Sequence, residues 1–285
     1  MSNDVTTPDY RDSNQYQAFD VQVADHVAEV TLIGPGKGNA MGPDFWSELI
    51  PLFEGIDADK DVRAVVLTGS GKNFSFGLDL PAMGGDFAPI LAEDAKAAPR
   101  TDFHDMVKRM QRGVNAVADC RKPVVAAISG WCIGGGVDLI TAADIRVAST
   151  DAKFSVREVR VAIVADMGSL ARLPLIIGDG HTRELALTGK DIDAARAEKI
   201  GLISDVYDDQ DAVLAAARRT AAEIAVNPPL VVQGVKDVLD HSRSGAVADS
   251  LRYVAAWNAA FLPSKDLTEA ITSVFEKRPP KFTGE

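Results

Sequence analysis

Residues 123–143 read PVVAAISGWCIGGGVDLITAA. A β-branched run, Val124, Val125 and Ile128, ends at Ser129 and Gly130, and three glycines, Gly134, Gly135 and Gly136, open an apolar segment of helical character. The pattern predicts a strand, a tight glycine turn and the first turn of a helix. Glycine lets other groups come close to the backbone, and the first N–H groups of a helix have no acceptor inside it. Such a turn can donate hydrogen bonds to an oxygen carrying negative charge. Asp138, two residues past the last glycine, is the only charged side chain in the stretch. It is either a first-turn acid that complements the helix dipole or a buried carboxylate with a chemical role. The stretch is long enough to span a bilayer. Its four glycines and central carboxylate, with no one-sided excess of flanking cations, mark it instead as buried core.

Upstream, residues 19–24 and 27–33 alternate as half-buried strands around the turn Asp25–His26, so a hairpin opens the fold. A glycine-proline loop, GPGKGNAMGP at 34–43, leads into an amphipathic helix over 44–56 with Asp44 as its N-cap. The β-branched run 62–68 predicts a fully covered strand, and a second glycine loop, GSGKNFSFGLDL, follows at 69–80. Residues 83–100 show no period and are expected to form an irregular connection, a candidate lid. Thr101 is expected to cap a helix that runs to Asp119. Downstream, 144–148 and 154–156 read as strands, and strands alternating with helices predict an α/β architecture. Beyond Gly168 strand signals nearly vanish, and helices are predicted over 169–177, 182–187, 194–199, 210–226, 229–241, 247–261 and 265–277. The expected organisation is a poorly fixed segment 1–18, a sheet-bearing core 19–205 and a helical region 206–285.

Composition narrows the function. A net charge of −11 and a pI near 4.9 exclude non-specific binding to nucleic acid or anionic membranes, so a phosphorylated ligand needs a local basic patch. Cys120 and Cys132 form no CxxC, which points to a reducing compartment. MSNDVTTPDYRD shows no apolar signal region and FTGE no peroxisomal address, so a cytoplasmic location is expected. Gly71–Lys72 fails as a phosphate loop, because Val66 and Asn73 stand where that pattern needs Gly and Ser or Thr. GPGKGN lacks the last glycine of a dinucleotide fingerprint, and no GxSxG elbow is present. His26, His104, His181 and His241 have no metal-ligand spacing, so no metal and no separate cofactor are expected. The chemistry is expected to rest on carboxylates and backbone N–H groups.

Two glycine loops in this order, NFSFGLDL and GWCIGGGVDL, with EKRPPKF near the end, resemble the crotonase, or enoyl-CoA hydratase/isomerase, superfamily. The resemblance runs from Phe19 to Phe282 and implies a ββα spiral core followed by C-terminal helices through which trimers, often paired into hexamers, assemble. Within the superfamily the chain is most similar to the Δ3,5-Δ2,4-dienoyl-CoA isomerase subfamily, which carries an Asp in the GGGVDL helix, a Glu in a VKEV-type segment and an Asp in an AADVG-type segment. Here these are Asp138, Glu158 in SVREVRV and Asp166 in IVADMGS, and KGNAMGPDFWSEL is also similar to the subfamily's first loop and helix.

The resemblance implies that the N–H groups of Phe76 and Gly135 form an oxyanion hole for a thioester carbonyl. It implies that Glu158 acts at C2 and Asp166 at C6 of a 3,5-dienoyl-CoA, moving its double bonds to the 2,4 positions, with Asp138 tuning both. Three acids in a dry pocket cannot all ionise cheaply, so at least one should hold a proton at neutral pH. Which of Glu158 and Asp166 is acid and which base stays open. Lys37, Ala40 and Lys277 are implied to hold coenzyme A, which is part of the substrate; Gly34–Pro35 replaces the usual Arg-Pro of the first loop. The alternatives are a 2-enoyl-CoA hydratase or simple enoyl-CoA isomerase, and a non-catalytic acyl-CoA-binding member. Asp138 is a methylene shorter than the usual hydratase Glu, and no hydratase needs Asp166. The three carboxylates count against the non-catalytic reading.

Overall fold

Asp25 and His26 have φ of 47° and 67°, the left-handed pair that closes a two-residue hairpin with the twist its strands need. They join β1 (Phe19–Ala24) to β2 (Val27–Leu32), antiparallel with Phe19 opposite Leu32, as the alternation predicts. The computed structural model describes residues 10–34, 38–92 and 96–284. Of the segment 1–18, expected to be poorly fixed, residues 1–9 lie outside the described residues. The rest corrects the expectation: Tyr10 and Tyr16 are buried, and the Tyr10 hydroxyl donates to Asp59.

Helix α1 (Pro43–Ala58) starts on Gly42, with Pro43 at its first position and no side-chain cap. Proline has no N–H to satisfy and a preset φ, so Asp44 falls in the first turn instead of at the predicted cap. β3 (Ala64–Gly69) is buried throughout. The expectation of an irregular 83–100 segment is corrected by α2 (Gly84–Leu91). Its local propensity is poor, but Phe87 and Ile90 enter the core and the Phe87 ring lies 5.7 Å from that of Phe103. Residues 93–95 lie outside the described residues. α3 (Ala97–Asp119) begins before Thr101, whose hydroxyl donates to the Ala97 carbonyl inside the helix instead of capping it.

The 123–143 stretch becomes β4 (Val124–Ile128), a short β5 (Trp131–Ile133) and α4 (Gly135–Ala142). β6 (Ile145–Ser149) and β7 (Lys153–Ser155) follow, then a 3-10 turn Glu158–Val161, α5 (Ser169–Ile177) and α6 (Asp179–Thr188). β8 (Ile192–Asp193), α7 (Ala194–Lys199) and β9 (Asp205–Tyr207) lead to α8 (Gln210–Ala225), α9 (Pro229–Phe261) and α10 (Lys265–Glu276). The short strands β5 and β8 were not predicted, and two further elements correct the sequence reading. β9, too short to show a period, adds to the main sheet beside β6. α9 is one 33-residue helix where a break was expected between 241 and 247.

Among the described residues one sheet has the order β1-β2-β3-β4-β6-β9, parallel from β2 onward, and a smaller one the order β5-β7-β8. Helices cover both faces of the main sheet, as a parallel sheet requires. On one face Val213, Ala217 and Ala221 of α8 pack on Ala64, Val66, Val125 and Val147; the large core fills the other. No helix among the described residues is long and apolar enough to cross a membrane.

Candidate active site

The two glycine loops meet as a built pair. Ser75 N–H donates to the Trp131 carbonyl and Ile133 N–H to the Ser75 carbonyl, each at 3.0 Å. Gly77 has φ 77°, and a Cβ there would fall 2.6 Å from the Ile133 carbonyl and 2.9 Å from the Gly135 nitrogen. Only glycine fits so close an approach. Asn39 fastens the first loop from below: its Nδ2 donates among the carbonyls of Ser70, Asn73 and Phe74 at 2.8–3.0 Å, while Ser70 Oγ donates to its Oδ1.

The Gly135 N–H opens α4 and meets no acceptor among the described residues, as expected of a helix start. The Phe76 N–H donates to the Gly38 carbonyl at 2.7 Å. An incoming carbonyl must therefore displace Gly38 to use both donors.

These loops wall a cavity of about 400 Å³. Phe76, Gly135, Asp138, Glu158 and Asp166, read separately in the sequence, all line it; Trp46, Leu78, Met110, Trp131, Ile133 and Met167 make it apolar. Ala40 and Lys277 do not line it: Ala40 is half-buried, and Lys277 is the exposed, left-handed C-cap of α10. Lys37 lies outside the described residues. No group of three or more His, Cys, Asp or Glu side chains suited to a metal occurs among the described residues.

The three carboxylates differ in their surroundings. Asp138 is 1% exposed, and its Oδ1 accepts the Ser169 N–H at the start of α5 at 2.5 Å. Burial pushes its pKa up to about 6, against the pull of that N–H and of the Arg172 charge. Asp166, 7% exposed, accepts Asn258 Nδ2 on Oδ2 at 2.6 Å; burial raises it to about 7, opposed by Asn258 and reinforced by Asp138. Glu158 reaches in from the 3-10 turn, and its Oε2 is buried with no hydrogen-bond partner among the described residues. Burial first, then repulsion from Asp138 and Asp166, holds it well above the usual carboxylate range. The arrangement keeps protons on carboxyls at neutral pH beside backbone donors, which suits proton transfer along a polarised carbonyl compound.

Ser169, Arg172, Gln111 and Asn258 were not found from the sequence. Asn258 did leave a signal: it continues the inward stripe Leu251, Val254, Ala255 of α9 as the one polar member.

Residues 22–285 match the family described as enoyl-CoA hydratase/isomerase. A Dictyostelium discoideum protein named Delta(3,5)-Delta(2,4)-dienoyl-CoA isomerase, mitochondrial, is 46% identical over 259 residues, 90% of this chain and 87% of that one. The Homo sapiens protein of the same name is 42% identical over 267 residues, 93% of this chain and 81% of that one. A crystal structure of an enoyl-CoA hydratase/isomerase from Mycobacterium paratuberculosis superposes with a TM-score of 0.79 at 30% identity, covering 90% of this chain and 98% of that one.

Proposed function

This chain belongs to the enoyl-CoA hydratase/isomerase family, and from that membership we infer that it isomerises 3,5-dienoyl-CoA to 2,4-dienoyl-CoA. The observation that carries the reading is the third carboxylate: Asp166 lines the same cavity as Asp138 and Glu158, and a two-ended proton transfer needs an acid/base group at each end of the diene. The relatives named as dienoyl-CoA isomerases support the same activity.

In the reading we propose, the thioester carbonyl accepts from Gly135 N–H and, displacing the Gly38 carbonyl, from Phe76 N–H. Each such donor is worth about 2.7–4 kcal/mol in the transition state. Glu158 takes the C2 proton. The electron pair it leaves spreads through C3–C6, and Asp166 delivers a proton to C6, which leaves double bonds at C2–C3 and C4–C5. Asp138, tied to Ser169 N–H and near the Arg172 charge, carries negative charge at neutral pH and raises both partners. Glu158 and Asp166 therefore titrate as neighbours, and the transfer starts from the form in which Glu158 is ionised and Asp166 holds the proton.

Lys37, Ala40 and Lys277 on coenzyme A, and assembly into trimers or hexamers, belong to the same proposal. The exposed apolar residues of α9 and α10 support assembly. A cytoplasmic location is proposed as well; the two buried free cysteines support only a reducing compartment.

The test is a spectrophotometric assay of the purified protein with a 3,5-dienoyl-CoA, following 2,4-dienoyl absorbance, beside Asp166→Asn. Conversion that falls by about a hundredfold or more in the variant, the scale of a general acid/base group, is the expected result. Absence of conversion, with hydration of a 2-enoyl-CoA that ignores Asp166→Asn, would overturn it.

A further inference from the structure

Asp166 reaches the cavity from the segment between the 3-10 turn and α5, yet the bonds that fix it come from elsewhere in the chain. Gln111 of α3 donates Nε2 to the Asp166 backbone carbonyl at 2.8 Å and to the Leu251 carbonyl of α9 at 3.0 Å. Asn258, also on α9 and 1% exposed, spends both hydrogens of Nδ2: one on Asp166 Oδ2 at 2.6 Å, one on the Val164 carbonyl at 2.8 Å. Asp166 Oδ1 receives no side-chain donor among the described residues. Asn258 thus holds one oxygen, and the carboxyl's other protein donor is its own backbone N–H.

We propose that Asn258 is a positioning residue for the proton transfer: it orients the Asp166 carboxyl by one oxygen and sets how readily that carboxyl gives up its proton. The proposal rests on Asp166 acting as the second acid/base group. An amide N–H pointed at a carboxylate favours its charged form, so Asn258 opposes a buried environment that favours the protonated one. The carboxylates facing Asp166 are Asp138 from α4 and Glu158 from the 3-10 turn; Arg172 of α5 acts on Asp138, and Arg157, which also lines the cavity, pairs with Asp191 at 2.8 Å. α3 presents Gln111 and α9 presents Asn258, both uncharged. Asn258 is therefore the side-chain donor that offsets two neighbouring carboxylates. Without it Asp166 should keep its proton to higher pH and lose its fixed angle to C6.

Two measurements on the full-length protein test this. The first is Asn258→Ala, read by the pH profile of kcat and kcat/KM with a 3,5-dienoyl-CoA. The limb reporting Asp166 should move up by about one pH unit, with kcat down about tenfold and KM within about twofold. An upward move of the basic limb fits Asp166 as the acid; an upward move of the acidic limb supports Asn258 equally and exchanges the roles of Asp166 and Glu158. The second needs no activity. In the wild type the Asn258 side-chain amide resonances should titrate with a midpoint near that of Asp166, about 7, and this titration should vanish in Asp166→Asn. A protein without isomerase activity that still shows it would refute the functional reading and keep the contact. If the amide does not titrate, or if Asn258→Ala lowers Tm and moves neither limb, the proposal is overturned and Asn258 only braces the Val164 carbonyl.

Discussion

Asp166 shows how much a single residue's chemistry depends on what surrounds it. Its pKa of about 7 in the fold compares with about 3.9 in an unfolded chain. A carboxyl raised in this way opposes its own ionisation in the native state. Its contribution to stability is fully present below about pH 4 and is lost as pH rises through 7. Asp166→Asn removes the charge and keeps the shape, and the Asn258 donor still finds an oxygen. Thermal melts should therefore show the variant more stable than the wild type at pH 8, by up to about 4 kcal/mol for a shift of roughly three units, and by about 1.5 kcal/mol at pH 5. Equal Tm values at both pH values would show that Asp166 ionises freely. The gain in stability and the loss of activity have one cause, a charge held where solvent cannot relieve it.

At the level of elements, α9 separates local from tertiary control. Ser242, Arg243, Ser244 and Gly245 read as a break, since serine and glycine both weaken a helix. The helix nevertheless runs through, its serine hydroxyls donating back to the Leu239 and His241 carbonyls, because its later turns are anchored inward by Leu251, Val254, Ala255 and Asn258. A Cβ on Gly245 would meet nothing within 4 Å. Gly245→Ala should thus raise stability by up to about 1 kcal/mol, read as a higher Tm; a loss would mean that the site is covered in the assembly. Gly77 is the opposite case. A Cβ on it collides with the Ile133 carbonyl at a positive φ, so Gly77→Ala should force the two loops apart and reduce kcat at least tenfold while the far helices stay folded, as seen by far-UV circular dichroism.

Across the whole molecule, one side of the C-terminal helices is left apolar. Tyr253, Trp257 and Phe261 line up at helical spacing, with neighbouring ring centroids 6.2 and 4.6 Å apart, and Trp257 and Phe261 remain 42% and 61% exposed. Monomeric proteins rarely leave such a patch in water. Light scattering on the eluting protein should give about three or six times 30.3 kDa, and Trp257→Glu with Phe261→Glu should return it to the monomer mass. A wild type that elutes as a monomer would contradict the assembly proposed above.

The hairpin at Asp25–His26, the covered strands, the two glycine loops and the boundaries of α5 and α7 were legible in the sequence, because each follows from spacing within a few residues. The identity of the three carboxylates was legible too, through the motifs that contain them. Only the tertiary structure decided that they share one cavity, that Ser169 N–H and the Arg172 charge act on Asp138, that Gly38 occupies the Phe76 amide and that Asn258 grips Asp166. It also decided that β9 joins the sheet and that α2 forms at all. Desolvation and hydrogen bonds between groups 31 or 92 residues apart arise when packing excludes water around them, and no local pattern of residues records which distant partner will be there.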